Sequence, residues 1–118
     1  MHEFSLVRSL LSQVCEIVRS EGGGAVREIR VRCGPLSGIE PLLMQQAFDH
    51  LRDQWALGDA RLHIMEEPLL VRCHRCDARF EPQRFQFRCP GCGSAETVAE
   101  SGDGVIIDSV VVDDSRER

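Results

Sequence analysis

Two Cys-x-x-Cys units separated by twelve residues, Cys73-His74-Arg75-Cys76 and Cys89-Pro90-Gly91-Cys92, constrain this chain more than any other feature. In each unit a tight turn lets two thiolates converge on one ion while nearby backbone N–H groups stabilise their charge. Gly91 and Gly93 supply the permissive backbone such turns need. Two turns facing each other across a short hairpin complete a tetrahedral shell of four sulfurs. Zinc is the natural occupant, because it has no geometric preference to frustrate and binds thiolate tightly. Four protein ligands leave no open position, so the expected role of Cys73, Cys76, Cys89 and Cys92 is to hold a structural zinc ion. Iron on the same four thiolates is a second reading, compatible with the Cys-Pro-x-Cys-Gly turn. A redox pair of the thioredoxin kind would open a helix in a βαβ setting, and neither pair sits in one. His74 is expected to be an exposed spacer, with a role as an alternative ligand left open.

The rest of the composition limits what such a lobe can be attached to. The chain has 118 residues, 42% hydrophobic and 28% charged, enough for a small globular domain with a metal-stapled appendage. No apolar run approaches the roughly 18 to 20 residues that span a bilayer, so no membrane role is expected. The start lacks the basic and apolar regions of a secretory signal, which makes cytoplasmic residence the expectation. In such a compartment paired cysteines point to metal or redox chemistry and not to disulfides.

A formal net charge of −5 argues against a nucleic-acid partner, since phosphate neutralisation needs clustered Lys and Arg. Locally the balance differs. Arg72, Arg75, Arg79, Arg84 and Arg88 face only Asp77 and Glu81, so a basic zinc ribbon using Phe80, Phe85 and Phe87 is a rival reading. The plainer expectation makes these phenylalanines a small core under the zinc.

Periodicity supplies the body. Val7, Leu10, Leu11, Val14, Ile17 and Val18 recur at helical spacing within residues 4–21, and Gly22-Gly23-Gly24 stops the pattern. Glu28 to Cys33 alternates as a half-buried strand, closed by Gly34 and Pro35. A second helix opens at Pro41, carries Met44, Ala47, Phe48, Leu51 and Trp55 on one stripe, and is expected to end at Gly58. Residues 61–71 predict another strand, interrupted near Pro68, and Val105 to Val112 a last one. Cys15 and Cys33 fall on buried faces as small hydrophobes. His50 and His63 fall on polar faces and read as solvated side chains.

The predicted fold class is α+β, with two helices packed on a roughly three-stranded sheet and an inserted zinc-ribbon-like four-cysteine lobe. The predicted division is 1–71 with 94–113 for the α/β body, 72–93 for the zinc-binding lobe, and a disordered tail at 114–118.

The chain start has chemistry of its own. The Met1 amine, the backbone nitrogen of His2 and the His2 imidazole can reach one ion through small chelate rings, with three nitrogens near a plane. This tetragonal, nitrogen-rich setting suits Ni(II) or Cu(II) better than zinc. Glu3 can add its amide nitrogen or its carboxylate. Ligands at an exposed chain end exchange one at a time, as a carrier requires.

Met1-His2-Glu3-Phe4-Ser5-Leu6 resembles the start of the HypA/HybF family of hydrogenase nickel-incorporation proteins. Gly34-Pro35-Leu36-Ser37-Gly38-Ile39-Glu40-Pro41, Ala47-Phe48, Cys89-Pro90-Gly91-Cys92-Gly93-Ser94 and the closing run from Val105 to Val112 resemble the family in the same order, over nearly the whole chain. The resemblance implies a nickel-binding α/β domain and a zinc-binding domain. It implies transported Ni(II) at His2 and Glu3, with the Met1 amine as a further donor, and structural Zn(II) on the four cysteines.

The implied partners are a maturation GTPase of the HypB type and the large subunit of nickel-iron hydrogenase, with a homodimer as a further candidate assembly. Some relatives serve urease, and histidines beside the zinc cysteines have been tied to pH sensing; here only His74 stands there. No enzyme is expected, because the chain has no Gly-rich phosphate loop, no nucleophile elbow and no HExxH pair. Cys33 and the polar tail after Asp113 depart from the family pattern.

Overall fold

The computed structural model describes residues 2–84 and 86–113, and at His2 the backbone alone. Met1, the His2 side chain, Phe85 and the tail expected to be disordered at 114–118 lie outside the described residues.

Helix α1 runs His2–Ser20 and buries Val7, Leu10, Leu11, Val14 and Val18. Ile17, expected in this stripe, is 42% exposed; at about 100° per residue it falls at the edge of the stripe, outside Leu10. The helix closes with the Gly23 N–H donating to the Val18 carbonyl at 2.8 Å, the long bond of a Schellman ending. Cys15 is half-buried and not in the core.

Strand β1, Ala25–Cys33, buries Val26, Ile29, Val31 and Cys33. Its first part escapes the alternation because Val26 and Ile29 are three residues apart. Helix α2, Pro41–Leu51, starts as expected: the Glu40 carboxylate accepts from the Leu42 N–H at 3.2 Å, and Pro41 occupies a position with no need of an amide donor. Met44, Ala47, Phe48 and Leu51 are buried beneath it.

The end of α2 differs from the expectation of a cap at Gly58. The α-helix stops at Leu51, a 3-10 turn covers Arg52–Trp55, and Ala56 takes the left-handed conformation at φ 58°. That reversal turns Leu57 inward, where it is buried.

Strand β2, Arg61–Glu66, lies on one side of β1, and β6, Val105–Asp113, on the other, giving the order β2-β1-β6. The strands flanking the cysteine segment therefore each pair with β1. Pro68 ends the first of them, and the chain continues as β3, Leu70–Cys73, in a second sheet of order β4-β3-β5. There β4 is Arg79–Phe80 and β5 is Thr97–Ser101, both antiparallel to β3. The architecture is α+β, two helices with small sheets and a four-cysteine lobe.

The chain divides into two compact units, one of 1–32, 39–65 and 106–118, the other of 33–38 and 66–105. The cysteine-bearing unit thus extends beyond the 72–93 segment expected from the spacing, since the register of β5 on β3, from Cys73 opposite Thr97 to Leu70 opposite Ser101, draws later residues into it. In the first unit Val7, Leu11, Val14, Ile29, Val31, Met44 and Phe48 have no exposed surface. In the second, Val71 and Cys73 are the corresponding residues.

Candidate metal centres

The two cysteine turns are built on one hydrogen-bond pattern. In the first, the Cys73 N–H donates to Ala78 at 2.9 Å, the Asp77 N–H donates back to Cys73 at 3.0 Å, and the Arg75 N–H points at the Cys73 sulfur at 3.3 Å. In the second, the Cys89 N–H donates to Ser94 at 2.9 Å, the Gly93 N–H to Cys89 at 2.8 Å, and the Gly91 N–H reaches the Cys89 sulfur at 3.3 Å. Gly93 makes its turn at φ 77°, and Asp77 takes the same place at φ 63°. Aspartate is among the few residues other than glycine that visit this region readily.

These turns bring all four sulfurs within 4.8 Å of one another. Cys73 and Cys92 are 3.6 Å apart and Cys76 and Cys89 3.5 Å, far beyond the ~2.05 Å of a disulfide. A tetrahedral ion with sulfur bonds of about 2.3 Å sets its sulfurs about 3.8 Å apart, so the donor set fits a metal such as zinc. Cys73 and Cys89 are buried while Cys76 and Cys92 are exposed, which would put an ion at the edge of the lobe.

The thiols are electrostatically uneven. For Cys89 the Cys92 backbone N–H is the main influence; burial opposes it, and the Gly91 N–H and neighbouring thiols reinforce it, bringing the group down to about 7. For Cys76 the Ala78 N–H favours the thiolate, yet Cys89, burial and the other sulfurs together push it up to about 12. Cys92 is also raised, the Ser94 N–H being outweighed by Cys73 and burial. Four thiolates this close repel one another, and a bound cation resolves that repulsion.

His74 is exposed and lies outside the four-sulfur group; its backbone N–H donates to Glu96 at 2.8 Å. Phe80 and Phe87 are half-buried. Much of the local arginine charge is already engaged. Arg72 and Arg79 both meet Glu100, at 2.9 and 2.8 Å, and Arg88 donates to the Gly93 carbonyl at 3.1 Å.

The start of α1 is the second place singled out by sequence. Glu3 stands in its first turn, and its carboxylate accepts from the Glu40 N–H at 3.4 Å. Of the expected nickel ligands only Glu3 has a described side chain. His50, read from the sequence as a solvated side chain, is exposed, and its ring meets that of Phe4 edge-on with centroids 5.9 Å apart. Nothing in the helical period of α2 marks it, because its neighbour lies on another helix.

A small α+β body with a pair of thiolate turns aimed at one point defines a metal-binding protein. The chain belongs to the family described as "Hydrogenase/urease nickel incorporation, metallochaperone, hypA", whose model matches residues 1–112. It is 34% identical over 110 residues to the hydrogenase maturation factor HypA of Aquifex aeolicus, covering 93% of this chain and 96% of that one. It is 32% identical over 117 residues to the factor of the same name from Chlorobium luteolum, covering 99% and 100%. The fold is similar to the solution structure of the Ni metallochaperone HypA from Helicobacter pylori, with a TM-score of 0.77 at 23% identity over 96% of this chain and 98% of that one. The family is one of nickel metallochaperones in hydrogenase maturation and not of enzymes.

Proposed function

We propose that this chain carries Ni(II) at its N-terminus and delivers it during maturation of nickel-iron hydrogenase, while zinc stays fixed on Cys73, Cys76, Cys89 and Cys92. The observation that carries the zinc assignment is the matched pair of turns. Their paired N–H···S bonds and sulfur separations near 3.5 Å suit a closed tetrahedral shell with no site for exchange.

Nickel is assigned to the Met1 amine, the His2 nitrogens and Glu3, donors that suit a tetragonal ion. The family match reaching back to residue 1 supports that assignment. Nickel handling then belongs to the α/β unit and zinc to the cysteine-bearing unit. Exposed donors on a chain end can be released singly, so transfer to an acceptor proceeds by stepwise ligand exchange. The resemblance to the family implies a HypB-type GTPase and the hydrogenase large subunit as partners, in the cytoplasm, with nucleotide hydrolysis left to the GTPase. A nucleic-acid role is disfavoured by the arginines already paired with Glu100.

The test is a calorimetric nickel titration of zinc-loaded protein with an authentic N-terminus, beside His2→Ala, with zinc measured by elemental analysis. Wild type should take up one nickel, and the variant should lose it while keeping its zinc. Equal nickel binding by both would refute the N-terminal site.

A further inference from the structure

Trp55 alone of the residues expected on the buried stripe of α2 is left half-buried, because the 3-10 turn after Leu51 takes it off the period of the helix. Its indole lines a cavity of about 740 Å³ whose residues all belong to the α/β unit. Val18, Val26 and Leu57, each buried, form the apolar floor, and the exposed Asp53 and Asp59 stand at the rim. Gly58 lets the Asp53 carboxylate lie close, since a Cβ there would fall 2.9 Å from Oδ1. Among the described residues neither carboxylate has an ion pair. The guanidinium on the rim, that of Arg19, is held by Glu16. Arg52 is turned away to the Phe48 ring and the Ala60 carbonyl, at 5.9 and 3.2 Å. The opening is therefore negative, over an apolar floor and beside an aromatic wall.

We propose that this cavity takes an arginine side chain presented by a partner protein. The guanidinium would lie on the indole of Trp55 and hydrogen-bond to Asp53 or Asp59, with its apolar stem on Val18, Val26 and Leu57. A guanidinium is weakly hydrated, stacks on aromatic faces and forks to carboxylates, so each part of the lining matches one of its preferences. The volume exceeds one side chain, which leaves room for an apolar neighbour of the arginine. A tryptophan left half-exposed in such a recess is the kind of anchor on which interfaces concentrate their energy. A bare divalent cation suits the site less, because it prefers six or more oxygens and only two carboxylates are offered above an apolar floor. The lining holds no residue assigned to nickel or zinc, so the proposal stands apart from that reading.

The chain has one tryptophan and no tyrosine, so its intrinsic fluorescence reports this cavity without a label. The probe is acetyl-Leu-Arg-Leu-amide, titrated into the zinc-loaded full chain beside the same peptide carrying citrulline, which keeps the shape and loses the charge. The arginine peptide should shift the Trp55 emission saturably and bind about tenfold or more tightly than the citrulline peptide, and added salt should narrow that gap. Asp53→Asn combined with Asp59→Asn should bring the arginine peptide to the citrulline level. On the wild-type chain, the amide resonances of Ala56, Leu57 and Gly58 should move with the arginine peptide while those of Arg75 and Gly91 stay in place; this arm does not depend on a variant folding. No saturable response into the millimolar range, or an equal response to both peptides, overturns the proposal. A response to magnesium ions without one to the peptide gives the carboxylates to a cation and overturns it too. An emission shift that follows protein concentration alone gives the cavity to a second copy of the chain and overturns the partner.

Discussion

Gly34→Ala tests the close approach that holds the loop after β1 in the cysteine-bearing unit. A Cβ at Gly34 would fall inside the van der Waals shell of the Gly102 carbonyl and lie 2.5 Å from the Gly102 Cα, against the ~3.5 Å at which carbon contacts become favourable. The obstacle is backbone, so the two segments must part by about 1 Å. That movement strains two hydrogen bonds, Gly34 N–H to Gly104 at 3.0 Å and Leu36 N–H to Gly102 at 2.9 Å.

Overpacking of this kind costs about 1–3 kcal/mol, and each weakened bond about 0.5–1.5 kcal/mol, so a loss of about 3 kcal/mol or more is expected. With an unfolding entropy of roughly 2.1 cal/mol/K per residue, the melting temperature should drop by about 12 °C. Two companions isolate the cause. Gly38→Ala has open space but φ 77°, which should cost roughly 1–2 kcal/mol. Gly104→Ala has neither obstacle and should change stability by less than about 1 kcal/mol. Thermal unfolding followed by circular dichroism, with metal content matched, ranks the three. If Gly34→Ala melts no lower than Gly104→Ala, the close approach is refuted.

Phe48 has no exposed surface, so Phe48→Ala should cost about 3–5 kcal/mol, read as a lower urea midpoint at unchanged slope. Exhaustive chelation should erase the dispersed amide signals of Arg75 and Gly91, whose N–H groups are aimed at sulfur, while those of α1 and α2 persist. The Glu100 carboxyl is held below its ordinary 4.5 by Arg79 first and Arg72 next, against burial. A lowered folded value means that its contribution is complete above about pH 4.5 and is lost as pH falls through the lowered value. The small gap in melting temperature between wild type and Glu100→Gln should therefore be open at pH 7 and close as the buffer is taken below pH 4.5.

What was legible in the sequence follows from how local each signal is. The α1 stripe and the Glu40-Pro41 start of α2 depend on a few consecutive residues, and both are found. The left-handed turn at Ala56 carries no such signal, because alanine has no preference for it; the reversal follows from burying Leu57. Strand β5 reads as nothing in particular, with Val98 its only branched aliphatic side chain, and forms because β3 is there to pair with it. The break at Pro68 was legible, but not that it would send the chain into a second sheet. In the thiolate site the ligand spacing is local and was readable. The equivalence of Asp77 and Gly93 was not, since aspartate enters the left-handed region only where a surrounding turn demands it.

The two units should fail in different ways, for a physical reason. Phe48, Met44 and Leu11 are held by dispersion and by apolar surface removed from water, forces indifferent to chelators and sensitive to a deleted ring. The turns around Cys73 and Cys89 bury little beyond Val71 and their own sulfurs. With one thiol brought down to about 7 and another pushed up to about 12, the four sulfurs resist ionising together, and a bound cation would supply the cohesion that an apolar core supplies elsewhere. Chelation and Phe48→Ala are therefore complementary perturbations. Chelation should melt the 73–94 segment first, and the cavity should weaken the helical unit with the cysteine turns still loaded. A chelator that unfolded both units at once would mean that the apolar core cannot stand without the metal.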